Sequence, residues 1–313
     1  MNKTNIVLSG TMRSGTTLMG SILNAHSQIN IVSDKLTWYF KRCYKKYGNM
    51  TSEYELDNAL YELEPFMMHH LNKYSVDELR KKVISKGISY ESIYISLIEL
   101  ELNREISEFY GIKTTHTAFE YKNILDGMPN SRIIHMVRNV NDVYHSHNKF
   151  VGGNKNILFN KLGNFKRAVK FKIVRFLLKS DIFLEERIYT PYHFKDPIQI
   201  IDYWSISNRI AIDLRNKYPE NILIVRFEDL INNVELEMRK VVDFLGVEWE
   251  NSFFEYNKLK DGDNKAFKAN TSFIQTKTDG YDKSKIGQSK LTNYEKEYLM
   301  KKCILELKEL SYE

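Results

Sequence analysis

Residues 5–26 read NIVLSGTMRSGTTLMGSILNAH. Ile6 to Leu8 form an apolar run of strand length. Gly10 to Thr17 form a glycine-bracketed turn, and Leu18 to Asn24 open a helix. In that order, strand, Gly-rich turn and helix N-terminus build an anion cradle. Backbone N–H groups converge there and the helix dipole favours negative charge. The interval from Gly10 to Gly15 is that of a nucleotide P-loop, G-x-x-x-x-G, but Thr16 and Thr17 follow instead of Lys and Ser/Thr. The cation is Arg13, inside the loop. This argues against ordinary ATP hydrolysis and for another phosphate-bearing ligand.

The rest of the chain reads as α/β. Asn30 to Ser33 form a loop or short strand ending at Asp34. Residues 36–110 carry apolar positions at mixed three- and four-residue spacing, as at Leu56, Leu60 and Leu63, and predict helices. Tyr110 to Lys113, Arg132 to Val137 (RIIHMV) and Asn221 to Phe227 (NILIVRF) read as strands. Asp142 to Lys149 start a helix. Asp229 is placed to cap the turn after the third of these strands. Glu235 to Leu245 read as a helix closed by Gly246. Thr292, with Glu295 three residues on, is the N-cap signature of a last helix. Strands alternating with helices predict a P-loop-like parallel sheet flanked by helices. Residues 1–313 read as one domain with helical insertions at about 36–110 and 150–200.

Composition sets further bounds. The chain has 313 residues and a net charge of +6, too modest to imply nucleic-acid binding. Its two cysteines, Cys43 and Cys303, form no Cys/His metal pattern, so no metal site is expected. A reduced, cytoplasmic protein is the simpler reading. The first strand begins too early for a signal peptide, and no window reaches the roughly 20 apolar residues of a membrane span. From Lys149 to Lys179 there are nine basic residues and no acidic one. That segment is either a solvated amphipathic helix or a landing surface for an anionic acceptor or a membrane face, which would make the protein membrane-peripheral.

A second anion-reading element is RIIHMVRNVNDVYHSHNKF, residues 132–150. Arg138 follows the carboxyl end of a predicted strand, where open parallel sheets bind ligands, and Ser146 lies eight residues later in the next helix. Lys113 also follows a strand. His26 and His135 read as structural, and Trp204 as a core residue.

Taken with the first loop, these elements resemble the sulfotransferases that use 3′-phosphoadenosine 5′-phosphosulfate (PAPS). Arg13, Ser14, Gly15, Thr16 and Thr17 match that family's RSGTT-type loop for the 5′-phosphosulfate. Arg138 and Ser146 match its 3′-phosphate pair. Gly111-Ile112-Lys113-Thr114, the FEDL run at 227–230 and the VVDFLGV run at 241–247 agree in order. The first loop looks like the tyrosylprotein sulfotransferase branch and its bacterial relatives. The chain departs from the family pattern at Asn139-Val140, Thr115 and Ser27.

The resemblance implies in-line transfer of a sulfuryl group from PAPS to an acceptor hydroxyl, leaving 3′,5′-adenosine bisphosphate and needing no metal. Arg13 and Lys113 are the implied cations at the leaving phosphate. The implied base is Asp34, which stands where the protein-tyrosine branch has a Glu; His116 and Glu120 are its reserves. Ser272 is an implied donor to the sulfuryl group, and Ser284 and Lys285 belong to an implied loop over the cofactor. The expected acceptor is a sugar hydroxyl on a glycan or glycolipid. A P-loop kinase and a catalytically inactive nucleotide-binding homologue are the competing expectations.

Overall fold

A computed structural model describes residues 3–33, 36, 39, 50–70, 75–115, 117–153, 199–258 and 291–312. Asp34, His116, Ser272, Ser284, Lys285 and Cys43 lie outside the described residues, as does almost all of the basic segment 149–179.

The five strands are β1 (Thr4–Gly10), β2 (Ile29–Ser33), β3 (Phe109–Lys113), β4 (Arg132–Val137) and β5 (Ile222–Arg226). They form one sheet in the order β2-β3-β1-β4-β5, with every pairing parallel. Helices α1 (Thr16–Leu23), α2 (Glu53–His70), α3 (Val76–Lys86) and α4 (Tyr90–Leu102) come first. They are followed by α5 (Tyr121–Gly127), α6 (Val140–Gly153) and α7 (Gln199–Lys217). Then come α8 (Phe227–Asn232), α9 (Val234–Leu245) and α10 (Asn293–Glu309). The expected α/β, P-loop-like architecture is the one observed. No described helix is long and apolar enough to cross a membrane.

The strands are apolar on both faces because helices cover both. Ile6, Leu8, Ile134 and Met136 pack with α1 and α9, while Val7, Ile112 and Ile133 pack with α2, α3 and α4. Alternate residues serve opposite faces, so the runs carry no polar side to mark a solvent layer. A third cluster joins Val137, Val140, Trp204 and Ile212 to Leu299, Cys303 and Leu307 of α10.

Capping explains most helix boundaries. Ser75, Ser89 and Asn233 accept first-turn N–H bonds of α3, α4 and α9, and Thr292 with Glu295 forms the expected capping box of α10. Gly246 closes α9 at φ 74°. The expectation for Asp229 is corrected. Residue 226 is the N-cap of α8 and supplies no side-chain cap. Asp229 lies inside the first turn, paired with Arg226 at 3.6 Å, and Asn233 caps the next helix. A carboxylate in a first turn is favoured by the helix dipole without capping, which is why the two roles look alike in sequence.

A buried polar chain crosses the sheet beneath its carboxyl end. The Ser9 and Thr117 hydroxyls meet at 2.6 Å, close to the Tyr121 end of this chain. Tyr121 lies 2.7 Å from His135 Nδ1, and His135 Nε2 lies 2.9 Å from Asn208 Oδ1. Asn208 Nδ2 donates to the Trp204 carbonyl, and Trp204 Nε1 donates to the Arg138 carbonyl at 2.8 Å. Asn208 Oδ1 only accepts, so His135 carries its proton on Nε2 and takes the Tyr121 proton bond at Nδ1. His135 is thus structural, as expected. Trp204 is a core residue as expected, and its indole N–H also holds the turn that bears Arg138.

Burial lowers His135 from 6.5 to about 4. The unfolded chain takes up this proton below 6.5 and the folded chain only below about 4. Stability from this group is therefore complete above pH 6.5 and is lost progressively down to pH 4, by about 3 kcal/mol in all. Urea unfolding from pH 7 to 4 should show that loss in the wild type, and the loss should be absent in His135→Gln.

Candidate active site

The carboxyl ends of the central strands bring the candidate residues to one edge of the sheet. Gly10 ends β1 and leads into the loop 11–15. Lys113 ends β3, Arg138 follows β4, and Phe227 follows β5. Parallel pairing in register is what levels these ends, since Leu8 faces Lys113, Gly10 faces Met136 and Val137 faces Arg226.

The loop has unusual backbone geometry. Arg13 sits in the left-handed region at φ 71° and Gly15 at φ 88°. For Arg13 that conformation costs about 1–2 kcal/mol, which the surrounding contacts must offset. The turn is closed by Ser14 N–H donating to the Thr11 carbonyl at 3.1 Å. Helix α1 then begins at Thr16, two residues earlier than expected, because left-handed Gly15 serves as its N-cap. No side chain caps α1 and no acid lies in its first turn. Its positive end is thereby left to an external anion, unlike the capped starts of α3, α4, α9 and α10.

Phe227 is the wall behind this loop. A Cβ at residue 15 would come within 2.3 Å of its ring. The same ring lies under the Arg138 guanidinium, 4.6 Å from the ring centroid, an attraction worth about 1 kcal/mol. Arg138 also pairs with Asp142 at 3.5 Å, four residues along α6, where Asp142 is buried. The next residue on that helical face is Ser146, whose hydroxyl accepts from Arg13 Nε at 2.9 Å. The loop arginine and the strand–helix pair named from sequence are therefore in contact, directly and through Phe227.

Glu228 braces the same corner. One carboxylate oxygen accepts the Asn139 N–H at 3.0 Å and the other accepts the Tyr312 hydroxyl at 2.6 Å. The Tyr312 ring lies beneath Arg226, 4.5 Å from its guanidinium carbon. Tyr144 of α6 donates to Glu295 of α10. The C-terminal helix thus holds the segment that carries Arg138 and Ser146.

Lys113 is buried, and its aliphatic stem packs on α1, where a Cβ at Gly20 would lie 3.4 Å from Lys113 Cγ. Its cross-strand neighbour on β2 is Ser33, the last described residue before Asp34. Glu120 stands at the start of α5, with Oε2 accepting from Asn123 at 2.8 Å. His26 lies in the turn after α1, its Nε2 2.9 Å from the Glu248 carbonyl, and takes no part in this edge.

Two features suit the cradle to phosphate groups. The first turn of α1 has no side-chain cap. The Thr11 and Ser14 hydroxyls are buried with no hydrogen-bond partner among the described residues, a cost that a ligand able to bond them offsets. Phe227, Asp142 and Glu228 were not singled out as site residues in sequence. The only signal for them was the FEDL run and an acid four residues after Arg138, and neither reveals its partner.

A model of the sulfotransferase domain matches residues 3–310. The chain belongs to this family. The fold is similar to that of the sulfotransferase domain from the curacin biosynthetic pathway. The TM-score is 0.55 at 19% identity, over 99% of this chain and 98% of that one. It is also similar to the sulfotransferase domain of the olefin synthase from Synechococcus PCC 7002. There the TM-score is 0.50 at 16% identity, over 96% of this chain and 94% of that one. No curated protein matches the chain significantly. Family membership supports sulfuryl transfer as the general chemistry of this sulfotransferase, with a nucleotide sulfate donor and an acceptor as its two substrates.

In this sulfotransferase, Gly15→Ala should cost about 2 kcal/mol or more, since it adds both backbone strain and overlap with Phe227. Thermal unfolding would report it as a lowered midpoint. Gly87→Ala, at a positive-φ glycine with open space around it, should cost less.

Proposed function

We propose that this sulfotransferase transfers the sulfuryl group of PAPS to an acceptor hydroxyl, with a sugar of a glycan or glycolipid as the acceptor. The observation that carries the reading is the meeting of the RSGTT loop with the Arg138–Ser146 element around one ring, Phe227. A ligand with phosphate groups on both the 3′ and the 5′ positions of its ribose matches two cationic elements set side by side. An ordinary nucleoside triphosphate carries its charge at one end.

PAPS when bound supplies an activated sulfuryl group on a phosphate leaving group. The protein's part is to position and to neutralise charge. Backbone N–H groups at the start of α1, with the hydroxyls of Ser14, Thr16 and Thr17, are the donors for the 5′ end. Arg138 and Ser146 serve the 3′-phosphate, and Ser284 and Lys285 are proposed to cover the nucleotide. Lys113 and Arg13 balance the charge that grows on the leaving phosphate, and Ser272 donates to the sulfuryl oxygens. Asp34 is the proposed base that takes the acceptor proton, with His116 and Glu120 as alternatives. A carboxylate does this near neutral pH when burial raises its proton affinity. The acceptor class rests on context and on no motif.

Calorimetry in EDTA should show 3′,5′-adenosine bisphosphate binding in preference to ATP, and both Arg13→Ala and Arg138→Ala should weaken it. Preference for ATP, or indifference to Arg138, would overturn the reading in favour of a P-loop kinase. With any hydroxyl acceptor that the enzyme takes, Lys113→Ala should lower turnover by about 10²–10³-fold, the cost of removing one donor aimed at developing charge.

A further inference from the structure

Tyr312 lies beyond α10, yet it reaches the corner that bears Arg138. The chain leaves α10 through a Schellman turn. Ser311 N–H donates to the Lys308 carbonyl at 3.1 Å, and Tyr312 N–H donates to the Leu307 carbonyl at 2.8 Å. Such a turn needs a left-handed residue, and Ser311 supplies it at φ 57°. Serine seldom takes that conformation, so the contacts around it have to hold it. Tyr312 makes those contacts. It packs on the cluster that contains Val137 and Val140, carries Arg226 over its ring and donates its hydroxyl to Glu228 at 2.6 Å.

The start of α6 shows what that hydroxyl controls. Asn139 caps this helix, its Oδ1 accepting the Asn141 N–H at 2.9 Å. In a capping box the side chain three residues on returns to the cap's own N–H. Asp142 holds that position, but it pairs with Arg138, and Glu228 takes the Asn139 N–H at 3.0 Å. Glu228 thus completes the cap from the end of another strand. Its two carboxylate oxygens share one plane, so fixing one on the Tyr312 hydroxyl aims the other at Asn139. We propose that Tyr312 is a positioning residue for the 3′-phosphate site, fixing through Glu228 the turn from which Arg138 and Ser146 project. The proposal rests on the PAPS reading above. Tyr312→Phe keeps the ring, its packing and the face offered to Arg226, and removes only the bond to Glu228. A tyrosine that merely fastened α10 to the sheet would tolerate that change, or would weaken every ligand alike.

The test compares 3′,5′-adenosine bisphosphate with adenosine 5′-monophosphate by calorimetry. The proteins are wild type, Tyr312→Phe, Glu228→Ala and the double variant. The ratio of the two affinities reads what the 3′-phosphate contributes. Tyr312→Phe should weaken the bisphosphate about three- to tenfold, the range of one hydrogen bond, and should change the monophosphate much less, so the ratio falls. Glu228→Ala should lower the ratio as well, and adding Tyr312→Phe to it should cost nothing further, because the hydroxyl acts through that carboxylate. An unchanged ratio in Tyr312→Phe, or a full further loss in the Glu228→Ala background, would overturn the positioning role and leave the PAPS reading standing. Failure of the wild type to prefer the bisphosphate to the monophosphate would overturn that reading and the positioning role with it.

Discussion

The site depends on one aromatic ring meeting one bare backbone. Phe227 emerges directly after β5 and fills the space behind Gly15, where any side chain would collide with it. The ring's other role is to support the Arg138 guanidinium. An aromatic face attracts a cation without neutralising it, so the ring helps to hold Arg138 in place. The β1 loop and the β4–α6 turn, more than 120 residues apart in sequence, are thereby set at a fixed separation.

Charged partners hold the same corner from outside. Asp142 pairs with Arg138 from within α6, and Glu228 takes the Asn139 N–H and the Tyr312 hydroxyl together. These bonds tie the segments that follow β4, β5 and the C-terminal helix to a single turn. Beneath it, the chain from Tyr121 through His135, Asn208 and Trp204 to the Arg138 carbonyl links the start of α5 to the same place. A buried polar network of this kind is tolerated only when its members are paired, and once paired it specifies one arrangement. The phosphate-reading elements are thus positioned by buried groups that never face a ligand.

Much of this was legible in sequence because the signals are local. Strand β4 announces itself as RIIHMV, α10 by Thr292 with Glu295, and the end of α9 by Gly246. Each depends on residues within one turn of each other. Asp229 misled because a first-turn acid and a cap are both acids near a helix start, and only the backbone separates them. Lys113 and Arg138 were found because both stand at the carboxyl ends of strands, and parallel strands place those ends on one edge. Phe227, Asp142 and Glu228 carried no such signal, since each acts on a residue that sequence distance hides.

The amino-acid sequence by itself determined the strand–loop–helix cradle, the parallel α/β class and the two cationic elements, because periodicity, glycine spacing and capping act over a few residues. Only the tertiary structure decided that Arg13 reaches Ser146, that Phe227 joins Gly15 to Arg138, and that Glu228 joins Tyr312, just past the C-terminal helix, to Asn139. Those contacts arise from sheet order and helix packing, which bring distant segments within bonding distance after the local elements have formed.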